Sequence, residues 1–363
     1  MEGTKIYSKQ KISSSNITRE DFDSGPVSLD EIEDGLFLGN LSAACSLETL
    51  KNYQITSILT LDTVPLPCHI SEQSFLTTKY VHVSDMPRED LLHYLEECIN
   101  YITDSLKNGK VLVHCYFGVS RSSAIVIAYI MKKYNLDYGP AYEMVLKKRK
   151  YVQPNVGFIF QLKLFKRMGC KIDPNYQKYK KYRLRIASEK VKKAKILPQS
   201  CMDLIQPDPG LTQENPEPIV YRCRQCRRIL ANKSHVLNHN SKIIENNTKI
   251  NTELDSESKS DNNIQNLCEQ LQESSIVPEN EEQPIIADVC DKIVFLEPIA
   301  WMKDILKHSQ GRLNCPKCNQ KLGSFSWVNG CCCPCGSAVA PAFYLVPSKV
   351  ELSKIVQNVQ LTL

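Results

Sequence analysis

The run Val111-Leu-Val-His-Cys-Tyr-Phe-Gly-Val-Ser-Arg-Ser-Ser123 places Cys115 five residues ahead of Arg121. A thiolate is the best nucleophile among protein side chains, and a guanidinium offers a planar fork that fits two phosphate oxygens. His114 precedes the cysteine, Ser122 follows the arginine, and Gly118 lies between them. Together they read as a nucleophile seated beneath a bound phosphate.

Such a site needs elements to hold it. Val111 to Val113 are apolar or β-branched, which suits a buried strand, and Ser122 to Met131 carry the apolar run of a core helix. The cysteine then sits where free backbone N–H groups and the positive end of a helix converge, an environment that favours thiolate over thiol. Tyr116, Phe117, Gly118, Val119, Ser120 and Arg121 form the loop, whose amides can cradle a dianion.

In these residues the sequence resembles the cysteine-based protein tyrosine phosphatase superfamily. The form His-Cys-x-x-Gly-x-Ser-Arg-Ser, with Ala128-Tyr129-Ile130-Met131 after it, is similar to the dual-specificity branch. The resemblance implies a general acid that protonates the departing oxygen. Asp85, in Tyr80-Val-His-Val-Ser-Asp85-Met-Pro87, lies 30 residues before Cys115, where the family carries that aspartate. Asp90 competes with it but suits the cap of a helix beginning near Leu91. The family further implies that Ser122 assists the thiolate when the cysteinyl-phosphate is hydrolysed, and that His114 orients the loop rather than acting as a base. Asn155 matches a position that ties the loop down, and it also suits a helix N-cap.

The surrounding pattern predicts an α/β fold, a central sheet flanked by helices, over residues 27–170. Strands are expected at 35–39 and 55–61 with a helix over 42–53 between them. Leu91, Leu95, Cys98, Ile99, Ile102 and Leu106 mark an amphipathic helix over 90–108, and further helices are expected at 121–134, 139–149 and 156–168. Tyrosine-specific members of the superfamily are longer and carry an extra loop that deepens the pocket. This domain has little room for one, so phosphoserine and phosphothreonine are expected as substrates beside phosphotyrosine. Phosphoinositide-directed members place lysine in the loop, and RNA-directed members place asparagine before the arginine. Here the loop has neither lysine nor asparagine, so phosphoproteins are the expected substrates.

The chain has 363 residues and 16 cysteines, which suits two domains. Lys5, Lys9 and Lys11 interrupt a polar start, and no apolar run approaches the ~18 residues of a membrane span. No secretory leader or membrane partner is expected, and in a reducing compartment clustered cysteines point to metal before disulfides. Cys223-x2-Cys226 and Cys315-x2-Cys318 are knuckles of the kind that hold zinc, and Cys333-x-Cys335 is a third pair. With His239 and Cys290, which stand apart, they supply eight donors, enough for two structural zinc ions. Cys331, Cys332 and His235 are rivals. His235-x3-His239 also imitates a DNA-binding finger, but too few residues separate Cys226 from His235.

Taken whole, the chain resembles the Yvh-type dual-specificity phosphatases, the family of dual-specificity phosphatase twelve. The resemblance is carried by Tyr221 to Cys226, Phe295 to Met302, Cys315 to Trp327 and Ala340 to Phe343. It implies that His239, Cys290, Cys333 and Cys335 complete the ligand set, without giving the pairing. It also implies a second role in large ribosomal subunit assembly, on a pre-ribosomal particle, in nucleus and cytoplasm. The alternative is a zinc-dependent binding factor whose phosphatase activity is dispensable.

Charge is unevenly spread behind a net +5. Residues 147–195 hold seventeen Lys or Arg against Asp173 and Glu189, a net +15, whereas 240–291 hold twelve acidic and three basic residues, a net −9. The expected order is an N-terminal tail (1–26), the phosphatase domain, a basic connector (171–218), a zinc-binding domain (219–346) with a disordered acidic insert (240–285), and a C-terminal tail (347–363). The connector, with Tyr179 and Tyr182 interleaved among its cations, is a candidate RNA contact through phosphate neutralisation and base stacking.

Overall fold

A computed structural model of the chain describes residues 24–211, 217–239 and 290–354. The expected acidic insert lies outside them. The chain divides into two units, Met1–Lys171 and Ile172–Leu363.

The first unit is built on a five-stranded sheet. Its elements are β1 (Leu29–Glu33), β2 (Leu36–Gly39), α1 (Leu41–Cys45), α2 (Leu47–Asn52), β3 (Ile55–Asp62), α3 (Cys68–Ser71), β4 (Thr77–His82), α4 (Leu95–Asn108), β5 (Lys110–His114), α5 (Arg121–Tyr134), α6 (Tyr138–Lys148) and α7 (Val156–Arg167). The strand order is β1-β2-β5-β3-β4. β1 is antiparallel to β2 and the other pairings are parallel. Parallel strands buried on both faces read as continuous apolar runs, and β5 follows the rule with Val111, Leu112 and Val113 fully buried. α5 is buried from Arg121 to Met131 without a break, as expected of a helix that is apolar all round. It stops where Asn135 turns left-handed and its N–H caps the Met131 carbonyl.

Two expected helices differ in detail. The one expected over 42–53 is two short helices, because the Ser46 hydroxyl accepts from Thr49 N–H and starts a new helix there. The one expected over 90–108 begins with a 3₁₀ turn at Leu92–Tyr94 before α4. At the N-terminal side, residues 24–26 are drawn onto the fold rather than trailing from it. Asn40 Nδ2 donates to the Ser24 and Pro26 carbonyls, and the Ser42 hydroxyl donates to Gly25 O.

The second unit is formed by α8 (Gln177–Ala194), β6 (Ile219–Cys223), β7 (Ile229–Asn232), β8 (Val294–Phe295), β9 (Gln310–Asn314), β10 (Lys321–Ser326), β11 (Cys331–Cys332), β12 (Ala338–Val339), β13 (Ala342–Leu345) and β14 (Val350–Lys354). They make three small antiparallel sheets, ordered β8-β13-β10-β9, β11-β12 and β14-β6-β7. Trp301, Phe325, Trp327 and Phe343 lie at the core of this unit, and Leu184, Ala187 and Val191 of α8 belong to the same cluster.

This corrects the expected connector. α8 is part of the second unit, because it carries an apolar stripe beneath its lysines. Ser188 Oγ donates to the Trp327 carbonyl at 2.6 Å, and Lys180 Nζ is buried in an ion pair with Glu297 at 2.7 Å. Tyr179 and Tyr182 are buried too, so they cannot stack on bases as expected. The C-terminal tail is corrected likewise. Residues 350–354 form β14, paired along its length with β6, because its backbone completes a ladder next to Cys223. Among the described residues no helix is long and apolar enough to cross a membrane.

Candidate active site and metal-binding groups

Cys115 follows directly on β5, and Arg121 opens α5. The loop between them is shaped from outside, through its carbonyls. Tyr116 O accepts from Leu41 N–H, Phe117 O and Gly118 O from the Arg149 guanidinium, and Val119 O from Gln153 N–H. Ser120 O accepts from Ala124 N–H and from the Ser123 hydroxyl. In a trans peptide the N–H points opposite to the C=O of the same unit, so carbonyls held outward turn the following amides inward. One of them, Gly118 N–H, donates to Cys115 Sγ at 3.3 Å, and the Ser122 hydroxyl donates to the same sulfur at 3.1 Å. Cys115 is buried, and both hydrogen bonds stabilise charge on its sulfur. Gly118 has φ +70, and a Cβ there would lie 2.4 Å from Gly39 O, so the turn needs glycine on both counts.

His114 is fully buried, with Nε2 2.8 Å from the Thr60 hydroxyl and Nδ1 3.4 Å from the Cys115 carbonyl. Thr60 and His114 stand opposite each other in the β3–β5 register, which brings the hydroxyl to the ring. The histidine thus spans strand and loop.

Asp85 lies at the loop that follows β4. Its Oδ1 accepts from the Ser120 hydroxyl at 2.7 Å and from Asn155 Nδ2 at 2.8 Å, which joins the expected acid to the phosphate loop. Asn155 also accepts from Phe158 N–H at the start of α7, and its own N–H donates to Ser120 Oγ. Helix cap and loop anchor are therefore one residue. Asp90 is instead occupied at the 3₁₀ turn, where its Oδ1 accepts from His93 N–H at 3.3 Å. The 84–91 loop rests on α7. Gln161 donates to Glu89 O and accepts from Leu92 N–H, and a Cβ at Gly157 would fall 1.8 Å from Pro87 O.

Two buried residues are not apparent from the sequence. Arg149, 2% exposed, donates to Asp30 Oδ2 at 2.6 Å and to Ser28 Oγ at 3.0 Å while its other N–H groups hold the loop carbonyls. Asp62, also 2% exposed, accepts from Arg121 Nη1 at 2.8 Å. Arg149 sits in the Lys147–Lys150 run, which resembles a solvated basic face, and Asp62 lies 59 residues from its partner.

In the second unit the eight expected donors gather into two groups, Cys223, Cys226, Cys315 and Cys318, and His239, Cys290, Cys333 and Cys335. Within each, the ligand atoms lie within 4.8 Å of one another. Tetrahedral Zn–S bonds of ~2.3 Å imply sulfur separations of about 3.8 Å. The observed pairs Cys223–Cys318, Cys226–Cys315 and Cys290–Cys333 are 3.7, 3.5 and 3.7 Å apart. The first group comes from twin knuckles. In each, the N–H of a left-handed residue, Arg227 or Asn319, returns to the carbonyl of the first cysteine at 2.9 Å.

His239 Nε2 is buried with no hydrogen-bond partner among the described residues, the state of a nitrogen kept for a metal. Burial, with Lys181 nearby, lowers the pKa of this imidazole from its ordinary value and favours the neutral, ligating form. The carbonyl of His239 accepts from Cys290 N–H at 3.2 Å, so the two ends of the long intervening segment meet at the second group. The rivals are placed elsewhere. His235 Nδ1 accepts from Asn232 N–H in a capping box, and Cys331 and Cys332 lie outside both groups.

Comparison with known proteins agrees with both halves. Residues 36–168 match the family described as the dual specificity phosphatase catalytic domain. Dual specificity protein phosphatase MPK-4 of Drosophila melanogaster is 58% identical, over 95% of this chain and 93% of its own length. Dual specificity protein phosphatase 12 of Mus musculus is 34% identical, over 90% of this chain and 88% of its own. Tyrosine-protein phosphatase yvh1 of Schizosaccharomyces pombe is 26% identical, over 89% and 84%. Since the likeness runs through the cysteine-rich unit as well as the catalytic one, the chain belongs to the Yvh-type family of dual-specificity protein phosphatases, that of dual-specificity phosphatase twelve.

Proposed function

We propose that this phosphatase hydrolyses phosphotyrosine, phosphoserine and phosphothreonine in proteins through a cysteinyl-phosphate. The observation that carries the proposal is the Cys115 sulfur itself, which receives the Gly118 N–H and the Ser122 hydroxyl inside a loop whose carbonyls are held outward. The thiolate attacks phosphorus and the ester P–O bond breaks. Loop amides and Arg121 stabilise the equatorial oxygens, and Asp85 gives its proton to the leaving oxygen. Both donors to Asp85 meet Oδ1, so the transferred proton belongs on Oδ2. Water then attacks phosphorus, Asp85 takes its proton, the S–P bond breaks, and Ser122 donates to the departing sulfur.

Asp85→Ala tests the acid. The loss should reach roughly 10²- to 10⁴-fold on a phosphoserine peptide and be much smaller on an aryl phosphate whose phenolate leaves unaided. Equal losses on the two substrates, or a larger one from Asp90→Ala, would reassign the proton.

The two donor groups are proposed to hold one structural zinc ion each. A second role, large ribosomal subunit assembly in nucleus and cytoplasm, is supported by the family resemblance and by the exposed basic face of α8. Lys181, Arg185, Lys192 and Lys193 remain on that face, whereas Lys180 is buried and Arg183 pairs with Asp203. If these cations meet RNA phosphates, changing all four to Gln should weaken sedimentation with ribosomal particles. The log–log salt slope should fall by roughly 0.7–0.9 for each phosphate no longer neutralised. An unchanged slope would leave the face without an RNA role.

A further inference from the structure

Arg121 is held by more than its own helix. Its Nη1 donates to Asp62 Oδ1 at 2.8 Å and to the Val83 carbonyl at 3.2 Å. The Val83 N–H in turn donates to the Asp62 carbonyl at 3.1 Å. A closed ring thus joins the last residue of β3, the residue just beyond β4 and the first residue of α5. Asp62 Oδ1 also accepts from Thr63 N–H at 2.7 Å, so the carboxylate is oriented by its own backbone as well as by the guanidinium.

The ring occupies one end of the guanidinium fork. Arg121 Nε is buried with no hydrogen-bond partner among the described residues. A buried donor without an acceptor is destabilising, and a phosphate oxygen would satisfy it. The geometry therefore pins Nη1 and leaves Nε for the ligand. Asp62 has a second, opposing influence, because its negative charge lies close to a site for a dianion. Repulsion would make its removal tighten phosphate binding, whereas loss of orientation would make its removal weaken it.

We propose that Asp62 is a positioning residue that fixes the Arg121 guanidinium with its Nε edge toward the phosphate. Through Val83 it also registers that guanidinium against the loop carrying Asp85. The proposal rests on the phosphate-binding role given to Arg121 above. Orientation outweighs repulsion here because the Asp62 carboxylate is already paired with the guanidinium at 2.8 Å, so its charge acts first on Arg121 and less on the phosphate beyond it.

The test compares full-length wild type, Asp62→Ala, Asp62→Asn and Arg121→Ala, each checked for folding by thermal melting. The readouts are inhibition by inorganic phosphate and hydrolysis of aryl phosphates with good and poor leaving groups. Asp62→Ala should weaken phosphate inhibition roughly tenfold or more, the scale of removing a hydrogen bond to a charged group. It should also slow the poor leaving group more than the good one. Asp62→Asn keeps the Oδ1 acceptor and loses the charge, so it should restore inhibition to within a few fold of wild type. An alanine variant that binds phosphate as tightly as wild type, or more tightly, overturns the proposal. So does an asparagine variant no better than alanine. If Asp62→Ala does not fold, Asp62→Asn decides alone: near-wild-type inhibition supports positioning, and clear tightening or loss overturns it. Arg121→Ala separates the two readings, since retained phosphate inhibition in that variant would remove Arg121 from the phosphate site altogether.

Discussion

Cys115→Ser is expected to lower aryl-phosphate turnover by roughly 10⁴-fold or more, the scale seen when a covalent nucleophile is removed. A serine hydroxyl is a weak nucleophile unless a base activates it, and the adjacent His114 is not placed to do so. Both His114 nitrogens face other groups, Thr60 and the Cys115 carbonyl. Phosphate binding should survive within a few fold, because the hydrogen bonds that shape the loop through its carbonyls come from Leu41, Arg149, Gln153 and Ser123 and not from position 115. Titration calorimetry with inorganic phosphate, run beside a turnover assay, reads both effects. Turnover within tenfold of wild type would remove Cys115 as the nucleophile. Loss of phosphate binding together with turnover would show that the sulfur shapes the loop, which its two accepted hydrogen bonds alone do not require.

The catalytic loop was legible because its chemistry is local. The proposed nucleophile, amides, arginine and assisting hydroxyl all fall between His114 and Ser122, and the strand and helix that present them are each apolar enough to read from pattern. Asp62 and Arg149 were not legible, since their roles exist only across the sheet. Arg149 meets Asp30 at a separation of 119 residues, and nothing near either one marks the pairing.

In the second unit the paired cysteines were visible from their spacing and His239 and Cys290 only through donor count and the family resemblance, whereas the framework around them was not. α8 carries its buried apolar residues at Tyr179, Tyr182, Leu184, Ala187 and Val191, a helical spacing masked by lysines, of which Lys180 alone is buried. Composition therefore pointed to a linker where periodicity would have given an amphipathic helix. The strands β8, β11 and β12 have two residues each, too short for any alternation to register.

Metal removal should divide the molecule in two. Structural zinc sites contribute on the order of 10–16 kcal/mol to folding, comparable with the ~5–15 kcal/mol net stability of an ordinary domain. The core of the second unit is built around the donors, since its sheets are short and Cys223, Cys315, Cys333 and Cys335 are themselves buried in that core. Burial pushes the Cys223 and Cys315 thiols up, so metal loss is accompanied by proton uptake at the donors, which leaves neutral thiols with little affinity for one another. Chelation of the full chain is therefore expected to unfold the second unit while the first remains active. The protein carries its own reporter, because both tryptophans, Trp301 and Trp327, are buried in the second unit with their indole N–H groups on the Leu230 and Ile305 carbonyls. A strong chelator should shift tryptophan emission to the red while aryl-phosphate hydrolysis persists, and metal analysis beforehand should find two zinc ions per chain. One ion per chain would exclude one of the two groups as a site. Unshifted emission after complete metal loss would mean that the short sheets and α8 hold the unit unaided, and the donors would then need a role other than folding.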